Sequence, residues 1–352
     1  MKKSASQNPT MPRSPTIREV AKLAKVGVMT VSRVINNHAS VRSSTRKRVE
    51  AAIVQLGYRQ NEAARLLKGG RAKIIGLIVP DLSDAFFASC AHTVQHLARA
   101  SGYMTLVASS ERDEELEVQE AELMARRQIS GLLIVTSVHK GSERLRKLQS
   151  PDFPIVGFDR PIPGLETDAV LVENRSGAEG AVRHLVEHGH KRIACVGYDA
   201  NVYTIHERLQ GYLDEMRSAK LEPDLALDRL TIEDVRQWVA DTMAKPDRPT
   251  AVFSLNHRTS SFLLQALSEK KVKMPEEIAM VGFDDFELAS VVTPGLTTVS
   301  QSPVDLARRA MTLLIERIRR AKDAVQEPAA KIMLPTRLVV RGSCGVHPAV
   351  RE

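Results

Sequence analysis

From Lys73 onward, short runs rich in β-branched residues alternate with longer segments of helical periodicity, and this alternation constrains the fold most strongly. The predicted strands are "KIIGLIVP", "YMTLVAS", "SGLLIVTS", "FPIVGFD", "RIACVG", "TAVFSL" and "EIAMVGFD". Strands that alternate with helices form parallel sheets covered on both faces. Because each half of this region holds about four to six strands, we predict two doubly wound lobes rather than one large sheet.

The residues before this region have a helical pattern throughout. A first apolar stripe comprises Ile17, Val20, Leu23 and Ala24. Thr16 lies just before this stripe and Glu19 lies within it, and the two have the spacing of a capping box. A second helix is predicted from Val28 to about Asn36. Three short helices with a tight connection between the first two predict an all-α helix-turn-helix head.

The third of these helices is bounded by recognisable end signals. Ser43 or Ser44 is the predicted N-cap, and Gly57 ends the helix in the usual C-terminal way. Residues 61–73 follow, with one or two turns of helix and a flexible "GGRAK" joint. Those turns are too short to be stable alone.

Positive charge is concentrated at the start of the chain. Residues 1–73 carry 16 Lys and Arg but three acids, a net of +13, whereas the whole chain has a net charge of +8. The remaining residues are therefore mildly acidic, at −5. This asymmetry favours a polyanion bound by the head alone. A solvated basic tail is the alternative.

The second helix of the head has two faces. Val31, Val34 and Ile35 form the apolar side. The outward residues are Val28, Met29, Thr30, Ser32, Arg33 and Asn36. The major groove of B-DNA accepts a helix, where arginine can bind guanine through two hydrogen bonds. Short polar side chains suit phosphate oxygens. An ordinary surface helix can carry the same residue types, so the charge of the head supports the interpretation.

Polar and aromatic side chains follow the predicted strands at their carboxyl ends. They are Asp81, Phe86, Phe87, Asp159, Arg160, Arg208, Asn256 and Asp284. In doubly wound folds ligands bind at this edge. Carboxylates, an amide, arginines and aromatic rings together suit a polyhydroxylated small molecule. Each residue taken alone fits a capping or ion-pair role equally well.

Other classes of protein are disfavoured. No run of eighteen apolar residues is present, and the polar leader of residues 1–15, predicted to be disordered, lacks the apolar segment of a secretory signal. The three cysteines form no metal-ligand pair or disulfide framework, which favours a reducing cytoplasm. His188 and His190 fit a helix end better than a metal site. We therefore predict no metal and no cofactor.

Several separated motifs resemble one known family. "TVSRVINN", "LGYRQNEAARLL", "IGLIVPDLSDAFFA" and "VGFDDFELASVVTPGLTTVSQ" are similar to the lactose-repressor/galactose-repressor family of bacterial transcription regulators. The resemblance covers about residues 16–342. It implies a head at residues 16–60, a hinge helix and linker at 61–73 and a two-lobed core of periplasmic-binding-protein type at 74–342.

The resemblance also implies lobe boundaries and assembly. The amino-terminal lobe is expected at about residues 74–171 and 302–330, and the carboxyl-terminal lobe at 172–301 and 331–342. Residues 343–352 are expected to be a tail without the heptads of a tetramer zipper. Two subunits are expected to pair, because a two-fold dimer matches a palindromic operator in double-stranded DNA.

The resemblance assigns DNA contacts to particular residues. It implies that Val28, Met29 and Arg33 contact base edges, and that Thr30, Ser32 and Asn36 contact phosphates. Leu67 corresponds to a hinge leucine that wedges between base pairs in the minor groove, and Lys68 follows it.

The resemblance also assigns the effector pocket. In the family, residues matching Phe86, Asp159, Arg160, Arg208, Asn256 and Asp284 line a pocket for an effector, here expected to be a carbohydrate. The implied function is transcription regulation, with no catalytic residues.

One departure from the family and two other functions remain open. The family's turn usually reads Ala-Gly-Val-Ser, but here Lys25 replaces its glycine and Gly27 its serine. A sugar-binding transport component is one alternative function, disfavoured by the basic head. The other is a sugar-modifying enzyme, in which Asp159 and Asp284 would form a glycosidase pair.

Overall fold

A computed structural model describes residues 15–35, 40–58, 71–320 and 327–345 of the protein. The chain forms two compact units, Met1–Arg71 and Ala72–Glu352. The first unit is the predicted helical head, and the second is the predicted α/β core.

The head contains the three predicted helices, α1 (Ile17–Leu23), α2 (Val28–Ile35) and α3 (Ser43–Leu56). Thr16 caps α1, and the reciprocal bonds between Thr16 and Glu19 confirm the capping box. The helices pack through a small apolar core that includes Val20, Val31, Val34 and Val49. Burial of one stripe from each helix is what stabilises helices this short.

The carboxyl end of α3 agrees with the prediction, whereas its amino end does not. Gly57 adopts a left-handed conformation at φ 61°, as expected of a helix-ending glycine. The prediction that Ser43 or Ser44 caps the helix was wrong. Arg42 occupies the cap position and makes no side-chain cap bond, so both serines lie inside the first turn.

The core consists of two six-stranded sheets, which confirms the prediction of two mostly parallel lobes. The first lobe has the strand order β11-β5-β4-β3-β1-β2, and the second has β12-β10-β9-β8-β6-β7. The strands of the first lobe are β1 (Ala72–Val79), β2 (Met104–Ser109), β3 (Ile129–Ile134), β4 (Ile155–Phe158), β5 (Asp168–Val172) and β11 (Lys331–Leu334). All five of its pairings are parallel.

The second lobe repeats this plan with one antiparallel edge. Its strands are β6 (Ile193–Val196), β7 (Asp224–Ala226), β8 (Ala251–Ser254), β9 (Ala279–Phe283), β10 (Thr297–Ser300) and β12 (Arg337–Val339). Strand β12 runs antiparallel to β10, and the other pairings are parallel.

Helices cover both sheets. Those of the first lobe are α4 (Ala85–Ala100), α5 (Glu114–Arg126), α6 (Glu143–Leu148) and α12 (Pro303–Arg320). Those of the second are α7 (Asn174–Glu187), α8 (Tyr203–Ser218), α9 (Ile232–Met243), α10 (His257–Glu269) and α11 (Glu287–Val291). The central strands β3, β4, β8 and β9 are buried along their full lengths, as expected for parallel strands between two helical layers.

The predicted lobe boundaries need two corrections. Strand β1 begins at Ala72, inside the predicted linker, because its register with β3 starts at that residue. Strand β11 belongs to the first lobe, although residues 331–342 were predicted to lie wholly in the second. The buried carboxylate of Asp168 explains this: it accepts hydrogen bonds from Arg317 and from the backbone of Ala330, which hold the chain beside β5.

The predicted tail begins too early. Ser343 and Cys344 are buried in the second lobe. The Ser343 hydroxyl donates to the Met280 carbonyl at 2.6 Å and accepts from the Thr297 amide at 2.8 Å. These bonds hold residues 343–345 to the sheet, so only residues 346–352 of the predicted tail lie outside the described part of the chain.

All three cysteines, Cys90, Cys195 and Cys344, are buried free thiols. Within the described ranges, no helix is both long and apolar enough to cross a membrane.

Candidate functional site

The first candidate site is the exposed face of α2 in the head. Val31 and Val34 are buried, whereas Val28 and Met29 are 43% and 68% exposed and Arg33 is also exposed. These three side chains therefore point away from the core of the head.

The remaining outward positions of α2 are partly described. Thr30 and Ser32 are half-buried beside this exposed face. Asn36, Leu67 and Lys68, for which we also predict DNA contacts, lie outside the described residues. The described face therefore presents one guanidinium, one thioether, one small aliphatic group and two hydroxyls, a set able to contact base edges and phosphates.

The turn before α2 contains the departure from the family pattern. Lys25 has φ 53°, a left-handed conformation that is costly for residues other than glycine. Gly27 precedes α2, and its carbonyl accepts from the amides of Thr30 and Val31. The left-handed conformation of Lys25 therefore places local backbone strain in this turn.

The second candidate site is a narrow cleft of about 40 Å³ between the two lobes of the core. Its walls come from segments that follow the carboxyl ends of strands in both sheets. Seven predicted residues line it: Phe86, Phe87, Asp159, Arg160, Arg208, Asn256 and Asp284. Asp81, the eighth, is not among the lining residues, because its carboxylate is bonded to Ser83 and to Arg112 at 3.4 Å.

Asp284 is the best-bonded carboxylate in the cleft. It follows β9 with φ 73°. It accepts from Gln301 at 2.6 Å, from Arg208 at 3.2 Å and from the backbone amide of His257 at 3.3 Å. Burial alone would raise the pKa of Asp284, but Arg208 and His257 outweigh it and the pKa is lowered. Asp284 is therefore an anion at neutral pH.

Arg208 is held rigidly below the cleft. It donates to the Asn174 side chain and to the Leu255 carbonyl, each at 2.8 Å. Its guanidinium also lies 3.7 Å from the centroid of the Phe283 ring. These contacts orient the arginine before any ligand binds.

Asp159 and Arg160 form a buried pair with unused bonding capacity. Arg160 donates to the Thr136 carbonyl at 3.1 Å, while its Nε lies 3.4 Å from Asp159 and makes no hydrogen bond. Burial raises the pKa of Asp159, although Arg160 and Arg208 oppose the rise. The pair is thus held by charge across 3.4 Å, without a hydrogen bond through Nε.

The aromatic and amide residues have structural roles as well. The rings of Phe86 and Phe87 pack edge to face at 5.3 Å, and Phe87 is in the core of the first lobe. Asn256 caps α10 by accepting from the Thr259 amide at 2.8 Å. Asn256 therefore positions the start of α10, where His257 and Arg258 also line the cleft.

Several lining residues escaped prediction. They are Asp84, Arg112, Tyr198, Thr204, Ile205, His257, Arg258 and Gln301. Asp84 caps α4 five positions after the end of β1, and Gln301 directly follows β10. Position after a strand end is a signal that both residues share with the predicted ones.

Two histidines bridge the lobes. His257 of the second lobe lies 3.5 Å from Asp84 of the first and 3.6 Å from Asp284 of its own lobe. His139 Nδ1 of the first lobe lies 3.2 Å from the carbonyl of Asn201 in the second. Burial lowers the pKa of His257, but the hydrogen bond and charge of Asp284 and the charge of Asp84 outweigh burial and raise it.

The other histidine pair matches the helix-end interpretation. His188 follows the last residue of α7, and its ring is bonded to the His184 carbonyl at 2.7 Å. His190 is bonded to Thr250 at 2.9 Å. Over the part of the chain that the structure covers, no group of three or more His, Cys, Asp or Glu is arranged to hold a metal ion.

Family models match both units of the chain. The model for bacterial regulatory proteins of the lacI family matches residues 16–61. The model for the periplasmic binding protein-like domain matches residues 182–344.

Individual proteins match nearly the whole chain. The HTH-type transcriptional repressor PurR of Haemophilus influenzae (strain PittEE) is 32% identical over 332 residues, covering 93% of this chain and 98% of that relative. The transcriptional regulator CelR in complex with cellobiose has a TM-score of 0.68 at 28% identity, covering 94% of this chain and 99% of CelR. The operator-bound lac repressor dimer shares the fold, with a TM-score of 0.79 at 23% identity and coverage of 95% and 100%.

Proposed function

The chain belongs to the lacI family of bacterial regulatory proteins and is a DNA-binding transcriptional repressor, and from that premise we propose that a small molecule controls its operator affinity. The molecule we propose is a sugar or sugar derivative, bound between the two lobes of the core. The chain is not an enzyme, since its relatives are repressors.

The exposed face of α2 is the single observation that carries the DNA-binding assignment. Met29 is 68% exposed and Arg33 is exposed on the same helix, whereas Val31 and Val34 are buried. We assign Val28, Met29 and Arg33 to base edges in the major groove, and Thr30, Ser32 and Asn36 to phosphates. We also assign the minor-groove wedge to Leu67 with Lys68 beside it.

The cleft supports the assignment of the effector site. Asp159, Arg160, Arg208 and Asp284 converge there from both lobes, with Phe86 beside them. The free acceptors of Asp159 are suited to the hydroxyls of a carbohydrate, which would enter once the lobes separate because the cleft of about 40 Å³ is smaller than a sugar. CelR, a protein of similar fold, binds cellobiose.

We propose that the repressor acts as a homodimer in the cytoplasm. Two copies of the head would then contact two half-sites of a palindromic operator. A ligand that binds one arrangement of the lobes more tightly than another shifts the population of that arrangement and changes DNA affinity by linkage.

Substitution of Arg33 tests the DNA-binding assignment. An operator is first recovered by selection from random duplexes with the full chain. Arg33→Ala is then expected to bind this operator about 10- to 100-fold less tightly, while its affinity for a scrambled duplex falls far less, because one bidentate contact is lost. The measurement is a fluorescence anisotropy titration with both duplexes.

Lys22→Ala is the matched control, because Lys22 is also an exposed cation of the head but lies on α1. It is expected to weaken binding to both duplexes equally. If Arg33→Ala still distinguished the operator from the scrambled duplex as well as the wild type does, the assignment of α2 as the recognition helix would be contradicted.

A further inference from the structure

Charged side chains in the cleft are unequal in number. Four arginines line it, Arg112, Arg160, Arg208 and Arg258, against the three carboxylates Asp84, Asp159 and Asp284. His257 adds a further group whose pKa is raised above 6.5. If Asp81 is also counted, through its ion pair with Arg112, the arginines and the carboxylates are equal in number.

Several of the carboxylate oxygens in the cleft already accept hydrogen bonds from the protein. Asp284 already accepts from Gln301, Arg208 and the His257 amide. Asp84 accepts from the Phe86 amide at 2.9 Å and contacts His257. Among the described residues, free carboxylate oxygens remain on Asp159 and at Oδ2 of Asp84. These are fewer than the hydroxyl protons of a neutral sugar, each of which needs an acceptor.

The cations, in contrast, retain unused donors. The buried Nε of Arg160 has no hydrogen-bond partner. Arg258 lies 5.5 Å from the Phe262 ring and makes no ion pair with the residues that the structure describes. Arg112 reaches only the half-exposed Asp81, at 3.4 Å. The guanidinium groups of Arg112 and Arg160 in the first lobe and of Arg258 in the second therefore line the cleft with donors that the protein does not fully use.

We infer that the effector is an acidic sugar, whose carboxylate or phosphate group binds Arg160, Arg258 and Arg112 while its hydroxyls bind Asp159 and Arg208. This inference rests on the proposed function and narrows its ligand class. An anion satisfies several guanidinium donors at once, and such charge-assisted bonds are stronger than those of a neutral hydroxyl. An anion held between Arg160 of one lobe and Arg258 of the other would also join the lobes.

Matched ligand sets test this inference on the full-length protein. Glucose, galactose and ribose are each compared with their aldonates and phosphate esters, and the two hexoses also with their uronates, by calorimetric titration. At least one acidic member is expected to bind at least tenfold more tightly than its neutral parent. The carboxylate and phosphate arms reveal which anionic group the cleft accepts.

Two variants connect that preference to the named residues. Arg112→Gln combined with Arg258→Gln is expected to weaken the tightest acid at least tenfold while changing its neutral parent less than threefold. Arg308→Gln, an exposed arginine on α12 paired with Asp305, is the control and is expected to leave both affinities unchanged. A thermal unfolding curve verifies that each variant is folded.

Three results would overturn the inference. The first is a neutral sugar that binds as tightly as its own acids, and the second is that no acid or phosphate binds at millimolar concentration. The third is an acid affinity that the double variant leaves unchanged. DNA binding is measured on the same preparation, so that a failure of the acidic-sugar inference can be distinguished from a failure of the proposed function. A neutral sugar that alters operator affinity overturns the acidic class alone, whereas a lack of affinity for any duplex at low salt overturns the proposed function.

Discussion

Lys25 has a strained backbone conformation in the turn between α1 and α2. Its φ of 53° is in the left-handed region, where a Cβ atom approaches the backbone too closely. Its side chain is exposed, so no packing contact of the head depends on the lysine. The strain is therefore a property of the backbone at this position.

Lys25→Gly is expected to stabilise the head by about 0.5–1 kcal/mol, because glycine adopts this conformation without the steric cost. Amide hydrogen exchange of Val20 and Val31 in the full chain should slow by roughly two- to fivefold. Lys22→Gly makes the same chemical change inside α1 and should speed exchange by a similar factor. Faster exchange in Lys25→Gly would contradict the strain argument.

At the scale of elements, helix α5 is joined to the end of β3 by one buried carboxyl group. Glu117 is fully buried and accepts from the Thr136 hydroxyl at 2.6 Å and from the Ser137 amide. The carbonyl of Thr136 in turn accepts from Arg160 at 3.1 Å. Glu117 thus supports the segment that orients an arginine of the effector cleft.

The Glu117 carboxyl predicts a pH dependence of stability. Burial raises its pKa from 4.5 to about 7, against the opposing bonds from Thr136 and Ser137. The folded protein therefore retains a proton that the unfolded chain releases, and stability falls as pH rises from about 4.5 to 7. The decrease due to this group is on the order of 2–3 kcal/mol.

Urea denaturation of the full chain at pH 5 and pH 8 measures that decrease. Glu117→Gln, which stays neutral and keeps an acceptor oxygen, is expected to lose this part of the pH dependence. Glu120→Gln, on the same helix but only partly buried, serves as the matched control and should retain it. Equal pH dependence in wild type and Glu117→Gln would show that the carboxyl ionises equally in both states.

At the scale of the whole core, His257 makes a charged contact between the lobes. Asp84 faces it from the first lobe, and Asp284 and Arg208 face it from the second, with the Phe286 ring 6.2 Å away. Only the imidazolium form attracts both carboxylates. Because the pKa of His257 is raised in the folded state, this attraction is fully present below about 6.5 and is lost as pH rises through the raised value.

Lobe closure is accordingly expected to weaken between pH 6 and pH 8. Spin labels at Glu111 and Lys270, exposed sites on opposite lobes, should give a longer mean distance at pH 8 than at pH 6. Labelled subunits are diluted with unlabelled ones so that each distance is within one chain. His257→Asn should give the longer distance at both pH values, and the exposed control His92→Asn should respond as wild type does. A pH response that survives in His257→Asn would refute this role.

Local patterns predicted the elements well where the pattern was strong. The capping box at Thr16, the αL glycine at Gly57 and the buried strands β1 and β3 all depend on neighbours within a few positions. Five strands, β5, β7, β10, β11 and β12, were not predicted, and β5 was missed although it is buried throughout. Strands β7, β11 and β12 have three or four residues each and at least one exposed position. A strand this short at a sheet edge carries too little periodicity to separate it from a loop.

The sequence by itself determined the helical head, the two parallel-sheet lobes and the side of the sheets on which polar residues collect. Periodicity, capping and charge density are local properties, and the carboxyl ends of parallel strands necessarily share an edge. Only the tertiary structure decided which groups in the cleft neutralise one another. Arg208 and Asp284 of the cleft are 76 positions apart, and Arg317 and Asp168, which pair elsewhere in the first lobe, are 149 apart. Which donors such pairs leave free depends on side-chain packing in three dimensions, which no local pattern encodes.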